Sequence, residues 1–192
     1  FEDLAVMRTI PNAIVCDPCD QVQLDWMVRE CAARNDGAIH YIRAYRKNVR
    51  EVYEPGTKFE LGKGQVLVPG TDVLLVGSGY LMADALDTAE ELGRRGISVE
   101  VVDPVTLKPF DEEIIWKEAQ GKKLVVTYEN HSVINGIGSA VADVLAKHGA
   151  GVPLLKLGAQ DVFGQVGLVD LLKKEFRLTS ADAVQAIEAA LA

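Results

Sequence analysis

A regular alternation of two residue patterns after residue 72 constrains this chain more than any other feature. Short apolar runs rich in β-branched residues predict strands at residues 73–76, 99–102, 124–127 and 154–157. Between them, apolar residues recur at helical spacing and predict helices at residues 80–94, 112–119 and 139–147. Strands and helices that alternate in this way build a mostly parallel (mixed) sheet with helices on both faces. The sequence therefore predicts an α/β fold.

The first 52 residues show the same alternation on a smaller scale. A helix that ends before Pro11 precedes a strand at 13–16, a helix at about 20–34 and a strand at 39–43. A unit of this size has too little core to cover its own sheet. We therefore predict a remnant of a larger α/β domain at 1–52, a linker rich in Gly and Pro at 53–70, and a complete domain at 71–192.

The start of the chain supports the same expectation. Phe1 is not an initiator Met and stands inside a predicted helix, so we expect the chain to be a fragment. The sheet face of the first unit should then be covered by a partner or by missing chain. Complete burial of Met7, Trp26 and Met27 within one isolated chain would contradict that expectation.

Charge and apolar content exclude several classes of partner. A net charge of −8 argues against nucleic acid and against an anionic membrane surface. No apolar run approaches the roughly 20 residues that a membrane-spanning helix needs, and no signal peptide opens the chain. We therefore expect a soluble, cytoplasmic protein.

The three cysteines favour a reducing compartment over a disulfide framework. Cys16 and Cys19 have the C-x-x-C spacing of redox and zinc sites, but Asp17 and Asp20 would raise their thiol pKa values. Neither a second C-x-x-C pair nor a close His completes a tetrahedral zinc site. We predict two incidental thiols and no metal site.

Two glycine turns precede predicted helices. Gly77-Ser78-Gly79 follows a strand as in dinucleotide-binding proteins, but Met82 stands where a third glycine is expected. Gly136 and Gly138 place bare backbone amides at another helix start, where anions can bind. For both turns we favour tight helix-on-strand packing, with anion binding as the alternative.

The segment Glu129–Asn135 is predicted to be a loop at the carboxyl end of a strand, where ligands bind in open α/β sheets. His131 within it is a candidate proton carrier or hydrogen-bond donor, because its ordinary pKa lies near neutrality. The adjacent Ser132 does not form a nucleophile and base pair with His131, because neighbouring residues cannot readily face each other. Hydrolase chemistry is therefore not predicted.

One dense basic cluster follows the predicted strand at 39–43. It consists of Arg43, Arg46, Lys47 and Arg50. Arginine side chains at a strand end can hold a phosphate or carboxylate through two hydrogen bonds. Alternatively, the cluster is a solvated turn paired with Glu51 and Glu54.

Short motifs along the whole chain, taken together, resemble one protein family. The first unit carries Phe1-Glu2-Asp3-Leu4-Ala5, Arg8, Pro11, Asn12, Pro18, Asp20 and Tyr41-Ile42-Arg43 leading to Arg46. The rest carries the segments 64–67, 70–73, 129–132 and 160–164, together with Gly79, Lys108-Pro109, Asp111, Gly136 and Gly138. In this order and spacing they resemble the carboxyl-terminal part of the thiamine-diphosphate-dependent transketolase family: the end of the pyrimidine-binding domain plus the C-terminal domain.

The resemblance implies an intact transferase that moves a two-carbon ketol unit between sugar phosphates, using thiamine diphosphate and Mg. It also implies that the family's cofactor-binding and catalytic residues lie outside this chain. The chain alone would be structural, dimer-forming and inactive, acting with itself or with an amino-terminal transketolase subunit. By the same resemblance, Arg46 would hold the substrate phosphate and His131 would lie near the substrate at the domain interface.

Two further hypotheses about function stay open. The chain could belong to another enzyme on the same scaffold, either a 2-oxoacid dehydrogenase β subunit or a deoxyxylulose-phosphate synthase. It could also be a stand-alone interaction or anion-binding module that uses the turns at Gly77 and Gly136.

Overall fold

Helices and strands alternate along the whole of the computed structural model, which describes all 192 residues. The elements of the first unit are α1 (Asp3–Thr9), β1 (Ala13–Cys16), α2 (Gln21–Ala33) and β2 (Ile39–Ile42). They are followed by β3 (Gln65–Val68), β4 (Val73–Gly77), a 3-10 turn (Gly79–Leu81), α3 (Met82–Arg94), β5 (Val99–Asp103) and β6 (Thr106–Lys108). The last elements are α4 (Glu112–Glu118), β7 (Leu124–Ser132), α5 (Ile137–Lys147), β8 (Leu154–Ala159), α6 (Val169–Glu175) and α7 (Ser180–Leu191).

The larger sheet has five strands in the order β3-β5-β4-β7-β8. Strands β5, β4, β7 and β8 run parallel, and only the edge strand β3 is antiparallel to its neighbour. All five residues of the central strand β4 are buried, which explains its uninterrupted apolar run. The predicted α/β fold with a mostly parallel sheet and helices on both faces is confirmed.

Each face of this sheet packs against a different set of helices. On one face, Leu75 and Val126 join a core with Met82 of α3 and Ile187 of α7. On the other face, β4 and β7 pack against α1, α4 and α5, through a core that includes Leu4, Leu74, Ile115, Val125 and Val141. No helix in the chain combines the length and the apolar composition that crossing a bilayer requires.

The first unit is joined to the rest of the chain through a second sheet. This sheet has the order β2-β1-β6, with β1 parallel to β2 and antiparallel to β6. Leu4 and Val15 belong to the same hydrophobic core as Val76 and Ile137. The rest of the chain therefore covers one side of the first unit, which was predicted to need a partner or missing chain. On this unit, Val28 and Ile39 remain about half exposed.

Of the three residues chosen to test the fragment expectation, one is buried. Met27 is fully buried, whereas Met7 and Trp26 are partly exposed. The structure therefore does not contradict the expectation that the chain is a fragment.

Three segments differ from the sequence predictions. Residues 65–68, assigned to the linker, form strand β3, and residues 106–108 form the unpredicted strand β6. Strand β7 continues to Ser132, so the first part of the predicted loop at residues 129–135 is strand. The extension is held by pairing of Ser132 with Ala159 after a register shift.

Candidate functional site

Buried polar side chains meet where the first unit faces the larger sheet. Asp17 follows β1 and is almost completely buried. Its Oδ2 accepts a hydrogen bond from Ser78 Oγ at 2.9 Å, and its Oδ1 accepts one from the Tyr45 hydroxyl. Burial raises the pKa of Asp17, and the nearby Arg43 guanidinium partly offsets this rise. The sequence analysis missed this network, although Asp17 and Ser78 both directly follow buried strands.

The Asp17 network closes the first glycine turn. Gly79 has a φ of +54°, which favours glycine, and a Cβ at this position would collide with the Tyr45 hydroxyl and the Asp17 carboxylate. The space above the turn is therefore filled by side chains of the first unit. This arrangement contradicts anion or dinucleotide binding at Gly77–Gly79 and agrees with the favoured prediction of close packing.

The second glycine turn is closed by a carboxylate as well. The backbone amides of Ile137 and Gly138, at the start of α5, donate hydrogen bonds to Glu129 Oε2 and Oε1 at 2.8 and 3.0 Å. A Cβ on Gly136 would collide with the same carboxylate. Burial raises the pKa of Glu129 to about 7, although the two amides counteract the rise. The anion at this helix start is thus supplied by the chain itself, which contradicts an open anion site at Gly136.

His131 lies beside Glu129 without any exposed surface. Its Nδ1 lies 2.8 Å from the Ser132 carbonyl oxygen and its Nε2 accepts a hydrogen bond from the Ala5 backbone amide at 3.3 Å. A carbonyl can only accept, so Nδ1 carries the proton, and burial lowers the pKa of His131 and keeps the ring neutral. The ring joins α1 to β7. The substrate contact predicted for His131 remains a prediction.

The predicted basic cluster divides into paired and unpaired members. Arg43 Nε lies 3.1 Å from Asp3 Oδ2, and its Nη1 donates to the Asn130 carbonyl at 2.7 Å. Arg50 pairs with Asp87 at 2.8 Å. The predicted partners Glu51 and Glu54 therefore take no part.

Arg46 and Lys47 are the unpaired members of the cluster. Both side chains are exposed and make no hydrogen bond or ion pair within the chain. They line a groove of about 370 Å³ between the segment 44–49 and the first turn of α2, with Pro18, Gln21 and Leu24 on the opposite side. An unpaired guanidinium beside an open groove can bind an anionic group of a ligand. The structure thus separates Arg46, in an open groove, from His131, in the core.

The cysteines show no sign of reactivity. Cys16, Cys19 and Cys31 are free and buried, and burial raises the thiol pKa of all three. The chain contains no group of three or more His, Cys, Asp or Glu side chains placed to hold a metal ion. The geometry therefore offers no donor set for zinc at the C-x-x-C pair.

Comparison with known proteins assigns the chain to a family. The family model described as "Transketolase, C-terminal domain" matches residues 62–182. A solved structure titled "Split gene transketolase, inactive beta4 tetramer" superimposes with a TM-score of 0.93 and is 42% identical in sequence. The match covers 99% of this chain and 61% of that one.

Curated relatives agree with the structural match. The 6-deoxy-6-sulfo-D-fructose transketolase subunit of Clostridium sp. (strain MSTE9) is 42% identical over 97% of this chain and 57% of its own length. A putative transketolase C-terminal section of Methanocaldococcus jannaschii is 42% identical over 92% of this chain and 55% of its own. A 1-deoxy-D-xylulose-5-phosphate synthase of Trichodesmium erythraeum is 35% identical over 96% of this chain and 29% of its own. The chain thus spans little more than half of the transketolase relatives and less than a third of the synthase.

Proposed function

The chain belongs to the transketolase family, and from this premise we propose that it is the carboxyl-terminal part of a transferase that moves a two-carbon ketol unit between anionic sugars. In this proposal the chain holds the anionic end of the substrate and completes the assembly. The reacting centre lies on the rest of the protein, so the chain alone is inactive.

The observation that carries this proposal is the unpaired guanidinium of Arg46 in an open groove. Arg43 and Arg50, its neighbours in the cluster, are paired with acids, whereas Arg46 is exposed and lines the groove. An arginine can hold a phosphate through two parallel hydrogen bonds. One curated relative is named for a sulfonated ketose, and a sulfonate is a tetrahedral anion like phosphate. We therefore propose that Arg46 binds the phosphate or sulfonate of the sugar.

Thiamine diphosphate does not fit the residues of this chain. The amides at the start of α5 are already bonded to Glu129, and the turn at Gly79 is covered by Asp17 and Tyr45. We propose that the amino-terminal part of the enzyme binds the cofactor and the metal.

The proposed partners are an amino-terminal transketolase subunit and a second copy of this chain. The similar solved structure is titled a tetramer of β chains and described there as inactive. Exposed apolar side chains provide surface for such contacts: Val162, Phe163, Val166, Leu168 and Leu171. In this assembly His131 acts indirectly, by joining α1 to β7.

A deoxyxylulose-phosphate synthase is the second candidate. The synthase of Trichodesmium erythraeum matches 96% of this chain, although at lower identity than the transketolase relatives.

A stand-alone anion-binding module loses its support, because carboxylates of the chain close both turns that it would use. The two enzyme candidates differ in their donor, which is a ketose phosphate or sulfonate in one case and a 2-oxoacid in the other.

The proposal is tested by assaying this chain together with its amino-terminal part, using a ketose phosphate, a sulfonated ketose and a 2-oxoacid as donors. We expect transfer from a ketose donor and none from either part alone. Transfer only from the 2-oxoacid would assign the chain to the second candidate.

The role of Arg46 is tested in the same assay with Arg46→Gln. Loss of a charge-assisted hydrogen bond should raise the KM for the anionic sugar roughly ten- to hundredfold. Lys174→Gln is the matched control, because Lys174 is also an exposed, unpaired cation but lies on α6, away from the groove. An unchanged KM in Arg46→Gln would refute the proposed anion contact.

A further inference from the structure

Tyr45 occupies an unusual position beside the groove. It directly precedes Arg46 and lines the same groove, while its hydroxyl donates a hydrogen bond to the buried carboxylate of Asp17. Its ring packs edge to face against Tyr80, with 5.5 Å between the ring centroids. Tyr45 therefore contacts both the first unit, through Asp17, and the turn after β4, through Tyr80.

Asp17, which accepts the hydrogen bond from Tyr45, is itself held in place. Asp17 is 3% exposed and also accepts a hydrogen bond from Ser78 Oγ at 2.9 Å. Gly79 lies beneath the Tyr45 hydroxyl, where a side chain would push the ring away. Asp17 of the first unit and Tyr80 of the turn after β4 thus hold the side chain of Tyr45 in place.

Arg46, in contrast, has no partner of its own. Its guanidinium makes no hydrogen bond or ion pair. The position of the guanidinium in the groove therefore depends on the backbone of Arg46, which is exposed. That backbone is anchored one residue earlier, at Tyr45. A positioned charge binds a ligand with a smaller loss of conformational entropy than a mobile one.

We propose that Tyr45 is a positioning residue for the substrate anion: its hydrogen bond to Asp17 fixes the segment that presents Arg46 to the groove. The inference rests on the proposed function and deepens it, because it names the residues that make the anion contact specific. Tyr45 acts through Arg46 and takes no part in the chemical step.

The test uses the enzyme assembled from this chain and its amino-terminal part, with Tyr45→Phe as the variant. This substitution keeps the ring on Tyr80 and removes only the hydroxyl. We expect the KM for a phosphorylated aldose to rise roughly tenfold, while kcat and the KM for the unphosphorylated aldose stay unchanged. A merely structural role would change both substrates alike.

Two further variants complete the test. Tyr41→Phe is the matched control, because the Tyr41 hydroxyl donates a similar hydrogen bond to Asp3 at 2.8 Å but does not line the groove. Its KM values should equal those of the unmodified enzyme. Asp17→Asn keeps an oxygen that can accept from Tyr45, so it should retain a KM for the phosphorylated aldose closer to normal than that of Tyr45→Phe.

The outcomes separate the inference from the proposed function. If Arg46→Gln raises the KM for the phosphorylated aldose but Tyr45→Phe behaves like Tyr41→Phe, the positioning role is wrong and the proposed function stands. If Arg46→Gln leaves that KM unchanged, or if no ketol transfer occurs, the proposed anion contact and the positioning role are both wrong.

Discussion

The two glycine turns of the larger sheet and the groove beside Arg46 use charge in opposite ways. At the turns, Asp17 and Glu129 are buried and accept hydrogen bonds from the chain itself. At the groove, Arg46 is exposed and has no partner. The turns match patterns associated with ligand binding, yet Asp17 bonds across the two units to Ser78, and Glu129 bonds to the start of α5 within the larger unit. An anion-binding pattern therefore predicts a site only if the fold leaves its hydrogen-bond donors free.

The largest effect is expected from Gly79→Ala, which tests whether the first turn is closed. The new methyl group would collide with Tyr45 and Asp17, and the left-handed backbone would be strained as well. We expect a loss of more than about 3 kcal/mol in the free energy of unfolding, measured by urea denaturation. Gly96→Ala is the control, because Gly96 has a φ of +83° but nothing within 4 Å of its Cβ position. It should lose only about 1 kcal/mol, and equal losses in the two variants would mean that the turn is open.

The pH dependence of stability tests the second turn. Burial raises the pKa of Glu129 to about 7, so the folded chain holds a proton that the unfolded chain releases at lower pH. The stability contributed by this group is therefore complete below its ordinary pKa and is lost as the pH rises through 7. Between pH 5 and pH 8, Glu129 should lower the free energy of unfolding by about 2 kcal/mol.

Glu129→Gln provides the control for this pH dependence. The variant should show a smaller fall between pH 5 and pH 8, measured by urea denaturation at both values. A remaining fall is expected from Asp103, because burial raises the pKa of its carboxyl to about 6. An identical fall in the variant and the unmodified chain would show that Glu129 does not titrate in this range.

A smaller effect is expected from Arg43→Gln, which sharpens the contrast within the basic cluster. Arg43 is 16% exposed and bonds to Asp3 and to the carbonyl of Asn130, so it joins the first unit to β7. Its replacement should lower the free energy of unfolding by about 1 to 2 kcal/mol. Arg29→Gln removes an exposed pair with Asp25 and should change stability by less than about 0.5 kcal/mol. Similar losses in both variants would contradict the structural role of Arg43.

The smallest effect on stability is expected from Arg46→Gln. Because Arg46 is exposed and unpaired, the free energy of unfolding should change by less than about 0.5 kcal/mol. Thermal denaturation of the variant beside the unmodified chain provides the measurement. A loss as large as that of Arg43→Gln would mean that Arg46 is structural, and the contrast within the cluster would disappear.

The periodic part of the fold could be predicted from the sequence because buried parallel strands are continuous apolar runs. Strand β4 is such a run, and β7 begins with another, whereas β5 is interrupted by Glu100 but is equally buried. Strands β3 and β6 could not be predicted in this way. They are short, Pro and Gly flank them, and β6 is stabilised by pairing with β1, about 90 residues away in the sequence. Only the folded chain brings such partners together.

The candidate site could be predicted only in part for a related reason. The basic cluster and the family resemblance singled out Arg46, but the sequence does not reveal which arginines find acids in the fold. Asp3 and Asp87, the partners of Arg43 and Arg50, lie about 40 residues away in the sequence on either side. The hydrogen bond between Tyr45 and Asp17 joins two strand ends and is equally invisible in the local pattern. Long-range pairing decides which polar residues remain free to bind.

Calorimetric titration of thiamine diphosphate with magnesium tests whether this chain binds the cofactor by itself. The titration is made into this chain alone and then into a mixture with its amino-terminal part. Because the turns at Gly79 and Gly136 are closed by the chain's own carboxylates, we expect no saturable heat from the chain alone and saturable binding in the mixture. Saturable binding to the chain alone would contradict the account, since it would require one of these turns to open for the diphosphate.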